Sequence, residues 1–229
     1  MAVGRQASLP SSRRARLGGL VGGGTTGNER LTSATGAVLI VLLAVIGVTI
    51  IALGPLLSVH LVVGMALVGP VLLKLASTGY RFARYYSDNP RYHRKGPPAL
   101  PLRLIAPIVV LSTLVVFASG VALLCAGPSS RETLLPIHKV SFFVWIAFMS
   151  IHVLAHLPTM LRSLGADYGP KRARASTSTW QKYLGSRDGV NGRAGRVLSI
   201  SSALAFGVVL AVVLIPQYGP WLSTRNLHH

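Results

Sequence analysis

The sequence predicts an all-α integral membrane bundle of five transmembrane helices with its N-terminus in the cytoplasm, on three observations. Charged residues make up only 12% of the 229-residue chain against 51% hydrophobic residues, about half the charged share of a soluble domain. The apolar residues gather into five blocks, at about 32–54, 56–79, 102–126, 134–160 and 196–216. Each block meets the requirement of roughly 20 apolar residues for crossing a bilayer as a helix. Finally, the basic residues alternate from connection to connection. Residues 1–30 hold five Arg, 81–103 hold six basic residues and 162–196 hold eight, whereas the other connections hold only Arg131 and Arg225. That alternation is the positive-inside pattern, and five spans then leave the C-terminus outside.

The net charge of +18 is therefore an orientation signal with a secondary attraction to anionic lipid, and it does not point to nucleic acid as a partner. Long unbroken apolar runs exclude the alternating pattern of a membrane β-barrel. Cys125 is the only cysteine, so intrachain disulfides and thiolate metal cages are excluded.

Taken in order, residues 1–30 read as a disordered basic cytoplasmic tail. Its SSRRARLGGL stretch leads into Gly-rich sequence too weakly apolar for an export signal. Residues 31–160 read as a four-helix transmembrane core. Gly54-Pro55 is expected to turn the chain from the first span into the second, and Pro70 to kink the second near its middle. The second span ends in GYRFARYY, an aromatic and basic interface signature. The turn-rich SDNPRYHRKGPPALP leads to the third span, and GPSSRET joins the third to the fourth on the outside. Residues 161–195 read as a basic cytoplasmic linker, and 196–229 as a fifth transmembrane helix with a short outer tail. The expected location is the cell membrane, as a multi-pass protein.

Four of the seven histidines, His60, His138, His152 and His156, lie inside apolar spans. Ionisable side chains are costly there, which makes a functional role the default; the alternative is interhelical hydrogen bonding. At 100° and 1.5 Å per residue, His138, His152 and His156 share one stripe of the fourth span, with His138 about 21 Å from His152. Spans two and four both run inward, and His60 and His138 lie a similar distance into them. The two imidazoles are thus expected at one depth in the outer leaflet, as bis-histidine axial ligation of a haem requires. Gly47, Gly64 and Gly120 fall near that depth and leave room beside it. Lys139, next to His138, is placed to meet a haem propionate or else to snorkel to the headgroups.

With SVHLVVG in the second span and IHKVSFFVWIAFMSIHVLAH in the fourth, residues 29–160 resemble the integral b-type cytochrome subunits of membrane-bound hydrogenases and formate dehydrogenases. The resemblance implies haem b in the outer leaflet on His60 and His138. It also implies an inner haem with His152 as one ligand. The other inner ligand would come from the start of the first span, where this chain has Ser33, Ala34 and Thr35, and Lys74 stands 14 residues after His60. One haem or two therefore stays open, and His152 and His156 are equally open to quinone binding or proton transfer. The resemblance further implies electron transfer between a quinone pool and a partner redox subunit on the extracytoplasmic face. A haem-free membrane anchor or assembly subunit, with histidines that only join helices, is the competing expectation. A transporter is disfavoured by the absence of internal repeats and of acids within the spans.

The topology is testable by labelling. With Cys125 replaced by Ser, Ser130→Cys should react with a membrane-impermeant maleimide in intact cells. Ser176→Cys should react only after the membrane is permeabilised.

Overall fold

The computed structural model describes residues 24–87, 100–168 and 192–223, and the expected tail 1–30 and linker 161–195 lie largely outside them. The described residues form helices α1 (Gly24–Ile51), α2 (Leu53–Tyr86), α3 (Leu100–Ala126), α4 (Arg131–Tyr168), α5 (Arg193–Val213) and a short α6 (Ile215–Ser223). Five of these are long and apolar enough to cross a membrane, and no strand occurs among the described residues. The chain is thus all-α, with five membrane-spanning helices.

The distribution of polarity is that of a protein solvated by hydrocarbon. Leu104, Phe143 and Leu154 are 71%, 67% and 68% exposed. The buried positions, by contrast, include Thr35, Thr49, Ser77, Ser112, Thr113, Ser119 and Ser141. Lipid tails solvate leucine as well as a protein interior does, so large apolar side chains gain little by turning inward. Small and hydroxylated residues, which allow close approach and hydrogen bonds, take the interior instead.

Helix lengths exceed the apolar blocks. At 1.5 Å per residue α2, with 34 residues, and α4, with 38, extend about 51 and 57 Å, well past a hydrocarbon core of roughly 30 Å. Helix therefore continues through residues 80–86 and 161–168, where hydropathy alone marks connections. For the same reason α1 begins at Gly24, inside the expected tail.

The outer turn between α1 and α2 occupies Ala52 to Leu56, around the expected Gly54-Pro55. Ala52 (φ −126°, ψ 51°) and Leu56 (φ −104°, ψ 15°) leave helical geometry there. Leu56 is the residue inside α2 with non-helical dihedrals, next to the turn, while the dihedrals at Pro70 stay helical. Pro70 is fully buried and follows Gly69, which lies in the closest helix contact of the fold. Gly127, with φ +77°, makes the turn from α3 into a 3₁₀ turn (Pro128–Ser130) and α4, a backbone conformation open to glycine at little cost.

Within the bundle α1 packs against α2 and α4, and α3 packs against α4, with slight contact between α2 and α3. The helices therefore circle as α2–α1–α4–α3, which sets α2 and α4 on a diagonal. Trp145 of α4 donates to Thr113 of α3 at 3.0 Å, and Thr113 donates to the Val109 carbonyl at 2.6 Å. Helix α5 packs on α2 outside this circle, and the approach is backbone to backbone. A Cβ on Gly69 would collide with the Ala203 carbonyl, and one on Gly207 with the Ala66 carbonyl. Helix α6 then covers the outer end, where Tyr218 joins Met65, Leu124 and Ala211 in a buried cluster and donates to the Ala211 carbonyl at 2.8 Å.

Gly207→Leu should consequently force α5 off α2 and cost about 1–3 kcal/mol, the usual range for overpacking. Gly79→Ala, where a Cβ meets open space, should be within about 0.5 kcal/mol of the parent. Denaturant titration in detergent followed by circular dichroism distinguishes the two.

Candidate functional site: two hydroxyl-held histidines

His60 lies seven residues into α2, beyond the break at Leu56, and His138 seven residues into α4, on the two diagonal helices. Both side chains are half-buried.

What orients them is a pair of hydroxyl groups that the sequence reading did not single out. Thr49 of α1 donates its hydroxyl proton to the Ile46 carbonyl at 2.7 Å. Toward His60 the same oxygen can only accept, and it lies 2.9 Å from Nδ1. With the Thr49 proton on that carbonyl, the matching tautomer of His60 carries its proton on Nδ1 and leaves the Nε2 lone pair open. His138 reaches the same tautomer by a parallel route. Its Nδ1 lies 3.1 Å from the Val116 carbonyl, a pure acceptor, and 3.0 Å from the Ser119 hydroxyl. Ser119 donates to that carbonyl at 3.1 Å. Gly120 makes the approach feasible: a Cβ there would stand 3.1 Å from His138 Cε1, pressing on the ring. Thr49 is 1% and Ser119 7% exposed, so water does not compete for these bonds.

Both imidazoles thus engage Nδ1 with oxygens of a neighbouring helix, Thr49 on α1 and Val116 and Ser119 on α3. A metal-binding histidine likewise holds its other ring proton on a fixed acceptor. The macrocycle of a haem supplies four more nitrogens, so two protein ligands suffice. No group of three or more His, Cys, Asp or Glu converges among the described residues, and a bare metal held by protein ligands alone has no such cage here. A Cβ on Gly64, one turn along α2 from His60, would meet nothing within 4 Å. The chemistry of two imidazoles with Nδ1 engaged suits a haem iron.

The remaining expected site residues fall elsewhere. Lys139 is exposed, turned 100° from His138 around α4, and the geometry does not bring it to the pair. His152 and His156 meet each other on α4, ring centroids 4.6 Å apart, and face the inner half of the bundle. There Lys74 of α2 donates to the Thr32 carbonyl of α1 at 2.7 Å. His93, His228 and His229 lie outside the described residues.

Comparison with protein-family models, with curated proteins and with solved structures finds no match for this chain.

Thr49→Val keeps the shape and removes the acceptor, leaving a buried N–H unpaired at a cost of about 1–3 kcal/mol. In histidine-selective ¹⁵N spectra of the haem-free protein, the parent should show His60 and His138 as Nδ1-protonated tautomers. Thr49→Val should disturb the His60 signal and leave that of His138 in place.

Proposed function

We propose that this protein is a multi-pass cell-membrane cytochrome of b type, with haem b held by Nε2 of His60 and Nε2 of His138 in the outer leaflet. The single observation that supports the reading is the parallel engagement of two Nδ1 atoms: on diagonal helices, His60 Nδ1 lies 2.9 Å from the Thr49 hydroxyl and His138 Nδ1 3.1 Å from the Val116 carbonyl, which leaves each Nε2 for another partner. Interhelical bonding alone, the basis of the haem-free anchor or assembly-subunit reading, accounts for the Nδ1 bonds. It gives no role to the two Nε2 atoms.

Haem in such a site supplies reversible one-electron chemistry of iron between its ferric and ferrous states. The chain's own residues do the rest. Thr49 and the Val116 carbonyl hold the ring protons and fix both imidazole planes, and apolar spans exclude bulk water. The orientation deduced from the basic connections puts the N-terminus in the cytoplasm and the site toward the outer face. Electrons would then pass between a quinone pool and a partner redox subunit on the extracytoplasmic side.

The test is a dithionite-reduced minus oxidised absorption spectrum of the purified full chain, expressed with haem supplied. Sharp b-type α and Soret bands are expected, and His60→Ala or His138→Ala should abolish them while membrane insertion persists. Well-folded parent protein with a flat spectrum, or both variants at full haem occupancy, would overturn the assignment in favour of the anchor.

A further inference from the structure

At the opposite end of the bundle the same two helices present a second set of nitrogen groups, and these are cationic or basic. On α4, His152 and His156 stack on each other, and neither makes a hydrogen bond to another described residue. On α2, the Lys74 ammonium turns inward to the Thr32 carbonyl. It stands 3.2 Å from where a Cβ of Gly36 would be, and the Met160 sulfur is 4.0 Å from that same point. A lysine that merely snorkels runs along the lipid-facing surface to the headgroups. Lys74 instead enters the junction of α1, α2 and α4. Met160, which meets it there, is one turn along α4 from His156, and His156 stacks on His152; Arg81 lies two turns along α2 from Lys74. The arrangement is stapled below by Ser77, whose hydroxyl lies 3.1 Å from that of Thr32 and whose carbonyl accepts from Asn28 at 3.1 Å.

An ammonium has three N–H donors, and the Thr32 carbonyl engages one. Two remain, beside two imidazoles and near a guanidinium, within helices that otherwise present apolar side chains. Cationic groups in such a place are expensive unless a ligand or counter-ion meets them. The matching ligand carries negative charge and several acceptor oxygens. Access favours a lipid: His156 is exposed on α4, and Val153 and Met160, its neighbours on the same helix face, are partly exposed. Acyl chains have an apolar surface there, beside the His156 ring. Arg81 opens the RFARYY segment, the aromatic and basic stretch expected at headgroup level, and Lys74 lies about 10 Å deeper along the helix. Basic pockets between membrane helices on the positively flanked side are where acidic headgroups bind.

We infer that Lys74, Arg81, His152 and His156 form a binding site for the phosphate of one acidic phospholipid on the inner side of the bundle. The inference stands on these residues alone and does not depend on haem at His60 and His138.

The experiment is native mass spectrometry of the full chain in mild detergent, with phosphatidylglycerol and phosphatidylcholine added at equal concentration. The parent should retain one phosphatidylglycerol per chain in preference to phosphatidylcholine. Lys74→Met should lower that retention about five-fold, while Arg94→Gln, in the basic connection, should leave it unchanged. His156→Gln provides the same reading at an exposed position should Lys74→Met fail to fold, and it too should weaken retention. Equal retention by the folded variants would overturn the site, as would an equal loss in Arg94→Gln, which would assign the attraction to diffuse charge. Competition of the lipid by millimolar inorganic phosphate would also overturn it, by assigning the nitrogens to a soluble anion.

Discussion

Inside a hydrocarbon-solvated helix a polar side chain keeps a fixed direction only when the protein supplies its partner, because lipid offers none. The rest of this structure depends on how that condition is met. Thr49 and Ser119 are spent on two imidazoles, Thr113 on the Trp145 indole, and the Thr32 carbonyl on the Lys74 ammonium. Each bond contributes only about 1 kcal/mol net, yet each removes a rotational freedom that would leave the site undefined. Hydroxyl groups suit the task because they satisfy two demands at once. The single proton of Thr49 closes on its own helix, and its oxygen is left to receive the histidine proton. A hydrogen bond that stabilises a helix pair in this way also chooses the tautomer.

The two ends of the α2–α4 pair meet the condition differently, and the chemistry follows. Toward the outside, His60 and His138 come from separate helices and have neutral oxygen partners, so their free nitrogens can address one object from two sides. Toward the inside, His152 and His156 come from one helix, four residues apart, and stack. Such a pair cannot oppose itself across a macrocycle. What α2 offers opposite them is Lys74, an ammonium, which is unfit as an axial ligand while it keeps its proton. The same helix spacing of 14 residues therefore leads to two imidazoles bonded to neighbouring helices at one end, and to a lysine beside a stacked histidine pair at the other.

The spans were legible because they rest on block lengths, which a regular helix converts directly into distance. Thr49 and Ser119 were not legible, since membrane helices carry many hydroxyl residues and only helix rotation decides which of them faces a histidine. Lys74 is conspicuous in sequence, but its bond to a backbone carbonyl has no residue signature. The helix ends were misjudged for a physical reason: hydropathy marks where lipid stops, and hydrogen bonding lets the helix run on. Helix α6 falls in the expected short outer tail; its Pro216 sits in the first turn, where proline is tolerated, and Pro220 lies inside it.

The fifth helix, outside the circle that contains the histidines, still acts on their geometry. Ala66 and Gly69 lie about two turns below His60 on α2, and against them the backbone of α5 approaches without an intervening side chain at Gly69 or Gly207. Backbone contact leaves little slack for rotation about the α2 axis. The outer cluster of Met65, Leu124, Ala211 and Tyr218 fixes the same helix from above, with α6 drawn down by the bond from Tyr218 to the Ala211 carbonyl. Helix α2 is thereby held by α1 on one side and α5 on the other. The direction of the His60 imidazole is a consequence of both, so its orientation belongs to all five spans and not to the four-helix circle alone.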